Sequence, residues 1–130
     1  METTRQKINR GDVYYAEFDH ATGSETFGRH PVIVIQNNTG NDYSKTIIGV
    51  VLTTQRNKAE IPTHVLISNE GQRFRNSMAL AEQIYTIDKR RLSAYLGHLD
   101  SNSMRLVDEA ICRSLALNDC KPIGELPHEG

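Results

Sequence analysis

The fold is decided by a loop that runs directly into an apolar segment, Gly23-Ser24-Glu25-Thr26-Phe27-Gly28-Arg29-His30-Pro31-Val32-Ile33-Val34-Ile35-Gln36-Asn37. Residues 32–35 form a continuous β-branched run, which is typical of a strand buried on both faces. Pro31 fixes its own φ and disfavours the α region for His30, so we expect His30 to be extended. Because loop side chains held on a rigid sheet often carry binding and chemistry, Arg29 and His30 are candidate functional residues. Taken alone, the loop is equally consistent with a solvated hairpin that carries ordinary charges.

Further strands are predicted on both sides of this segment from aromatic and β-branched composition bounded by turn formers. They cover residues 13–18, 46–54, 64–68, 77–87 and 94–99. Residues 77–87 are ambiguous by propensity, but alternating side chains favour a strand there. Residues 37–42 are rich in turn formers and predict a loop. Residues 89–92 predict a single helical turn.

The clearest helix is predicted at residues 103–117, with Asp100 or Ser101 available as its N-cap. An apolar stripe of Met104, Val107, Ile111 and Leu115 runs along it. Several short strands followed by one long helix indicate an α+β, mostly β fold: a curled antiparallel sheet or small barrel with the helix on one side. Residues 1–117 then form one domain, and residues 118–130 are expected to be a loosely held tail.

Composition limits the partners that the protein attracts over long range. Its 130 residues include 15 Lys and Arg against 16 Asp and Glu, for a formal net charge of −1. Such a chain is not drawn to a polyanion by its overall charge, so a nucleic-acid site has to gather positive charge in a local groove. No segment approaches the ~20 apolar residues of a membrane helix. The first residues also lack the apolar core of a signal peptide, so we expect a cytoplasmic protein.

Several kinds of chemistry have no support in the sequence. Cys112 and Cys120 lack metal-site spacing and are interpreted as reduced thiols, and no phosphate loop is present. What remains is a set of hydroxyls, cations, carboxylates and amides near strand ends: Ser24, Arg29, His30, Thr53, Thr54, Gln55, Arg73, Arg75, Glu82 and Gln83. Such a set suits RNA, because RNA supplies its own nucleophile in the 2′-hydroxyl. The protein then needs only an acid–base group and donors that neutralise the phosphate.

Six ordered blocks resemble the MazF/PemK family of toxins, most closely its branch from Gram-positive bacteria. The resemblance covers roughly residues 10–117. The blocks are Arg10-Gly11-Asp12-Val13-Tyr14-Tyr15-Ala16, Gly23-Ser24-Glu25, Pro31-Val32-Ile33-Val34-Ile35-Gln36-Asn37, Pro62-Thr63-His64-Val65, Glu82-Gln83-Ile84-Tyr85-Thr86-Ile87-Asp88 and Leu96-Gly97-His98-Leu99-Asp100.

The resemblance implies an SH3-like β-barrel with a C-terminal helix, assembled as a homodimer. It also implies a sequence-specific, ribosome-independent endoribonuclease that needs neither metal nor cofactor. Such enzymes cleave single-stranded mRNA to 2′,3′-cyclic phosphate and 5′-hydroxyl ends. A cognate antitoxin, a separate chain, would bind across the groove at the dimer interface, and DNA would be contacted only through that antitoxin. No membrane association is implied.

Catalytic roles carry over with one departure from the family pattern. That pattern, Gly-Ser-Glu-x-x-Gly-x-Arg-Pro, places arginine before the proline, whereas this chain has His30 there and Arg29 one residue earlier. Imidazole is an acid–base group near neutral pH, so His30 would move the proton and Arg29 would stabilise the phosphate. Neighbours on extended backbone point to opposite faces, which argues against both acting fully. Thr53 matches the second catalytic residue of the family.

The remaining candidates match the family groove or its rim. Glu82 and Gln83 match a Glu-Gln pair that lines the groove, with Glu82 as a reserve general base. The predicted RNA-binding residues are Ser24, Thr54, Gln55, Lys58, Arg75 and Gln83.

Two other functions remain open at this point. Similar barrels occur in toxins that bind DNA gyrase without cutting RNA, and the missing pre-proline arginine is compatible with such a protein. An RNA-binding or antitoxin-binding module with an inactive site is the third possibility.

Overall fold

The computed structural model describes residues 7–19, 27–55, 60–68 and 73–117. Its elements, in chain order, are β1 (Asp12–Phe18), β2 (Gly28–Val34), α1 (Asn38–Tyr43), β3 (Thr46–Thr53), β4 (His64–Ile67), β5 (Ser77–Asp88), β6 (Leu92–His98) and α2 (Ser101–Leu115). All six predicted strands are therefore confirmed. The predicted tail, Ser24 and Lys58 lie outside the described residues.

The strands form one antiparallel sheet in the order β4-β5-β3-β2-β1-β6. β2 begins before Pro31 rather than after it, because its ladder with β1 runs from Ile33 back to Gly28. Among the described residues no ladder joins the edge strands β4 and β6. The mostly β fold with a C-terminal helix is confirmed, whereas closure into a barrel stays a prediction. One main-chain bond, from Arg73 N to Leu96 O at 3.1 Å, links the segment before β5 to β6.

The central strand β2 is buried on both faces, as its β-branched run predicts. Ile33 packs in the core that contains Val107 of α2, on what we call the helix face of the sheet. Val32 and Val34 pack with Ile47 in a second core on the opposite side, which we call the far face. All of these side chains are fully buried. The two faces matter for function because strand alternation assigns each candidate residue to one of them.

The C-terminal helix α2 covers the helix face, and its ends have identifiable caps. Asp100 is the N-cap: its carboxylate accepts a 2.7 Å hydrogen bond from the Ser103 N–H, which lowers the pKa of Asp100. The helix ends at Ala116, which adopts a left-handed conformation with φ of 56°. The predicted bounds of 103–117 were therefore two residues late, and Leu115 at the end of the predicted apolar stripe is exposed. Within the described ranges, no helix has the length and apolarity needed to span a bilayer.

The prediction of a loop at residues 37–42 was wrong, because α1 occupies most of this segment. Asn37 caps the helix by accepting a 2.8 Å hydrogen bond from the Gly40 N–H. The buried Asn41 donates to the Gln36 carbonyl at 3.0 Å, so turn-forming residues here stabilise a short helix instead. The helical turn predicted at 89–92 is confirmed as a 3-10 turn, Lys89–Arg91.

Candidate active site

His30 lies on the far face, near the start of β2. It pairs with Ala16 across the β1–β2 ladder, and Ala16 belongs to the far-face core. Its Nε2 lies 2.7 Å from the main-chain oxygen of Phe27. The ring packs edge-on against Phe18, with 6.1 Å between centroids. The imidazole is therefore held from two directions while it stays partly exposed to solvent.

Thr53 is the last residue of β3 and lies on the same face as His30. The β2–β3 ladder pairs Val32 with Val51, and His30 and Thr53 each lie two residues beyond this last pair. The Thr53 Oγ1 accepts a 3.1 Å hydrogen bond from the Gln55 N–H. That bond uses an acceptor site and leaves the hydroxyl hydrogen of Thr53 available to a ligand. The two main catalytic candidates therefore lie on the same face, near the ends of neighbouring strands.

Arg29 lies on the helix face, away from His30. Its guanidinium carbon lies 4.3 Å from the centroid of the Tyr15 ring, a cation–π contact on the side where Tyr15 packs. Arg29 also pairs with Glu17 across the β1–β2 ladder. The structure does not bring Arg29 and His30 together, because consecutive residues of a strand alternate between faces.

Glu82 forms hydrogen bonds with residues at the start of the edge strand β4. Its carboxylate accepts hydrogen bonds from Thr63 Oγ1 at 3.0 Å and from His64 Nε2 at 2.9 Å. Burial raises the pKa of Glu82, but the bonds from His64, from its own main chain and from Thr63 outweigh it and leave the pKa below its ordinary value. A carboxylate held in this way stays ionised, but its lowered pKa makes it a weaker base.

A register shift in β5 explains the position of Glu82. Val50 pairs with Ile84 and the next residue, Val51, pairs with Leu80, so residues 81–83 form an irregularity in the β3–β5 ladder. The sequence does not connect His64 with Glu82. The signal available was only the presence of both residues in the quoted blocks, since nothing in either block predicts a shift of register.

The remaining RNA-binding candidates are spread along the end of the sheet. Thr54 and Gln55 are exposed immediately after β3. Arg75 is exposed just before β5, whose Met78 pairs with Thr53, so Arg75 lies at the same end of the sheet. Gln83 is half-buried within the irregular part of β5. Ser24 and Lys58 fall outside the residues that the structure describes.

Two aromatic residues near His30 were not identified from the sequence. Phe18 stacks edge-on with Tyr85 of β5, with 5.0 Å between ring centroids, in addition to its contact with His30. Tyr85 pairs with Gly49 of β3. No grouping of three or more His, Cys, Asp or Glu side chains suited to a metal ion occurs in the described ranges.

The chain is a small, mostly β protein with one antiparallel sheet and a C-terminal helix. His30 and Thr53 lie near the ends of two neighbouring strands. The model for PemK-like, MazF-like toxins of type II toxin–antitoxin systems matches residues 9–115. The chain therefore belongs to this toxin family, as the sequence blocks imply.

Individual relatives agree with this assignment. The chain is 50% identical over 113 residues to endoribonuclease EndoA of Bacillus subtilis (strain 168), a match that covers 86% of this chain and 97% of the relative. An endoribonuclease in complex with its cognate antitoxin, from a mycobacterial species, superposes with a TM-score of 0.71 at 27% identity, covering 85% of this chain and 96% of that one. MazF of Deinococcus radiodurans superposes with a TM-score of 0.75 at 18% identity, covering 87% and 100%, and shows likeness of fold.

Proposed function

We propose that this chain is the endoribonuclease toxin of a toxin–antitoxin pair, which cleaves single-stranded mRNA at specific sequences without ribosome or metal. The observation that carries the proposal is that His30 and Thr53 lie on the far face, near the ends of the neighbouring strands β2 and β3. Membership of the family and the 50% identical endoribonuclease support the same activity.

The reaction that fits this pair is an internal transfer within the RNA. The 2′-hydroxyl attacks the adjacent phosphorus while His30 moves a proton and the Thr53 hydroxyl donates to a non-bridging phosphate oxygen. The products are a 2′,3′-cyclic phosphate and a 5′-hydroxyl end. Because the 2′-hydroxyl is the nucleophile, the protein needs no covalent intermediate. Glu82, already engaged by His64 and Thr63, is a reserve base only.

The proposed RNA path runs along the end of the sheet that carries Thr53. The presence of Thr54, Gln55 and Arg75 at that end supports contacts with the nucleotides that flank the cut. Ser24, Lys58 and Gln83 complete the proposed RNA-binding set. Phosphate contacts of this kind position a strand and contribute little to sequence choice.

The proposed partners are a second copy of this chain and a cognate antitoxin that binds across the dimer groove. The structural relative in complex with its antitoxin supports such a partner. Curling of the sheet into an SH3-like barrel belongs to the same proposal, and the Arg73–Leu96 main-chain bond supports it. Light scattering of the purified protein is expected to give twice the chain mass, and added antitoxin is expected to stop cleavage.

The test is to incubate the purified protein with a long phage RNA in EDTA and to map the ends of the fragments. We expect discrete cuts with 5′-hydroxyl termini. Uncut RNA would contradict the proposal and would favour a toxin that acts without cleaving RNA.

A further inference from the structure

The hydrogen bond between His30 and Phe27 determines which nitrogen of the imidazole carries hydrogen. A main-chain carbonyl only accepts, so the Nε2 that lies 2.7 Å from the Phe27 oxygen must be the donor. In a neutral ring the other nitrogen, Nδ1, then has a lone pair and no hydrogen. Among the described residues, Nδ1 has no hydrogen-bond partner. The ring therefore presents a proton acceptor at Nδ1.

The backbone around His30 is built to hold this orientation. Gly28 has φ of +85°, a region that side-chain-bearing residues rarely adopt. Among the residues that the structure describes, a Cβ at Gly28 would meet no atom within 4 Å, so glycine serves the backbone conformation there. Since the Phe27 carbonyl belongs to the peptide that joins Phe27 to Gly28, the Gly28 backbone sets its direction. Pro31 restrains His30 from the other side.

We infer that His30 is the general base of this enzyme, acting through Nδ1, and that the Phe27 carbonyl and Gly28 are its positioning groups. The inference rests on the proposed function and deepens it. Arginine, which the family pattern places before the proline, stays protonated and does not accept a proton. The neutral imidazole of this chain, in contrast, has a ring nitrogen that accepts a proton.

The proposed reaction needs only RNA, His30 and water to account for every bond and proton. Nδ1 takes the proton of the 2′-hydroxyl as the bond from O2′ to phosphorus forms. The bond from phosphorus to O5′ breaks, and the leaving O5′ takes a proton from solvent water. The imidazolium keeps its Nε2–H on the Phe27 carbonyl, which stabilises the cation, and Nδ1 then returns its proton to solvent.

A base at Nδ1 has a kinetic signature. The value of kcat/KM should fall about tenfold per pH unit under acidic conditions that protonate the ring, because the protonated ring cannot act as a base. His30→Gln is the sharpest variant, since its amide nitrogen reaches the place of Nε2 and keeps a donor for the Phe27 carbonyl but has no base. We expect it to lose about 10²–10⁴-fold in kcat and to lose the acidic limb of the profile.

The positioning role is tested with two substitutions at Gly28. Gly28→Ala disfavours the positive φ, whereas Gly28→Asn adds a larger side chain that tolerates it better. We expect Gly28→Ala to lower kcat about tenfold or more with little change in KM, and Gly28→Asn to lose several-fold less. Equal losses in the two variants would show that added bulk, rather than backbone direction, is responsible.

The decisive readout is ¹⁵N NMR of the neutral His30 ring, alongside cleavage of the phage RNA. We expect Nε2 to be protonated and Nδ1 unprotonated in the wild type, and Gly28→Ala to mix the two tautomers. RNA cleavage together with an Nδ1–H tautomer, or with a His30→Gln variant that keeps its rate and acidic limb, would overturn the inference and leave the proposed function standing. A wild type that cuts no RNA would overturn the proposed function and this role together.

Discussion

Two imidazoles of this sheet, His30 and His64, have opposite surroundings. His30 donates to a neutral main-chain carbonyl and is partly exposed, whereas the His64 ring is 8% exposed and lies against the Glu82 carboxylate. An imidazole bound to a carboxylate near the edge strand joins two strands and contributes to stability. The imidazole of His30, near the start of β2, is oriented by a carbonyl without a compensating charge. The comparison separates the proposed base, His30, from His64, whose bond to Glu82 joins two strands.

The largest effect should come from removing the His30 ring. We expect His30→Ala to lower RNA cleavage by about 10²–10⁴-fold, the usual contribution of a general base, while the circular dichroism spectrum and the mass in solution stay unchanged. Cleavage that persists at the wild-type rate would contradict the role given to His30.

The next largest effect is expected from removing the Thr53 hydroxyl. Thr53→Val keeps the shape of the side chain and removes the hydroxyl, so we expect cleavage to fall by about 10²-fold, the effect of losing one donor to a developing charge. Thr53→Ser keeps the hydroxyl and serves as the matched control, which should retain most of the activity. A Thr53→Val enzyme as active as Thr53→Ser would remove the hydroxyl from the mechanism.

A smaller effect, on stability, is expected when the Glu82 carboxylate that contacts His64 is replaced. The folded pKa of Glu82 is lowered, so its contribution is present above the unfolded glutamate pKa and is lost as pH falls through the folded value. Because Glu82 is 44% exposed, we expect Glu82→Gln to cost only about 0.5–1 kcal/mol at neutral pH. Urea unfolding at pH 7 and again near pH 3.5 should show the difference shrinking in acid. A difference that grows in acid would mean that the carboxylate destabilises the fold.

The smallest effect is expected at Arg29, which lies on the helix face above Tyr15. Arg29→Met retains an unbranched side chain and removes the charge, so we expect cleavage to change by less than about threefold. A loss as large as that of His30→Ala would place Arg29 in the site and would require the start of β2 to twist when RNA binds.

Much of this fold could be predicted because local rules and tertiary packing agree in its central strands. The β-branched residues 32–35 and the alternation in residues 77–87 predict the strands that the structure contains. Because side chains alternate along any extended strand, the sequence also predicts that Arg29 and His30 lie on opposite faces, as they do. The segment at 37–42 was assigned wrongly because Asn37 stabilises a helix start as readily as a turn.

The side-chain contacts of the candidate site could not be predicted from the sequence. The contact of His64 with Glu82 depends on a register shift at residues 81–83, and pairing between distant strands is not encoded by local propensity. The bond from His30 to the Phe27 carbonyl depends on the positive φ of Gly28, which a glycine permits but does not dictate. The family pattern identified the position of His30, and only the structure supplied its hydrogen-bond partner.

One measurement tests most directly whether the RNA supplies the nucleophile and the protein moves its proton. A short RNA that spans a mapped cut is prepared with a single 2′-deoxynucleotide on the 5′ side of the scissile phosphate, and a control carries the deoxynucleotide one position away. The account predicts that the first substrate is not cleaved and that the control is cleaved at that phosphate. Cleavage of both substrates at equal rates would contradict it.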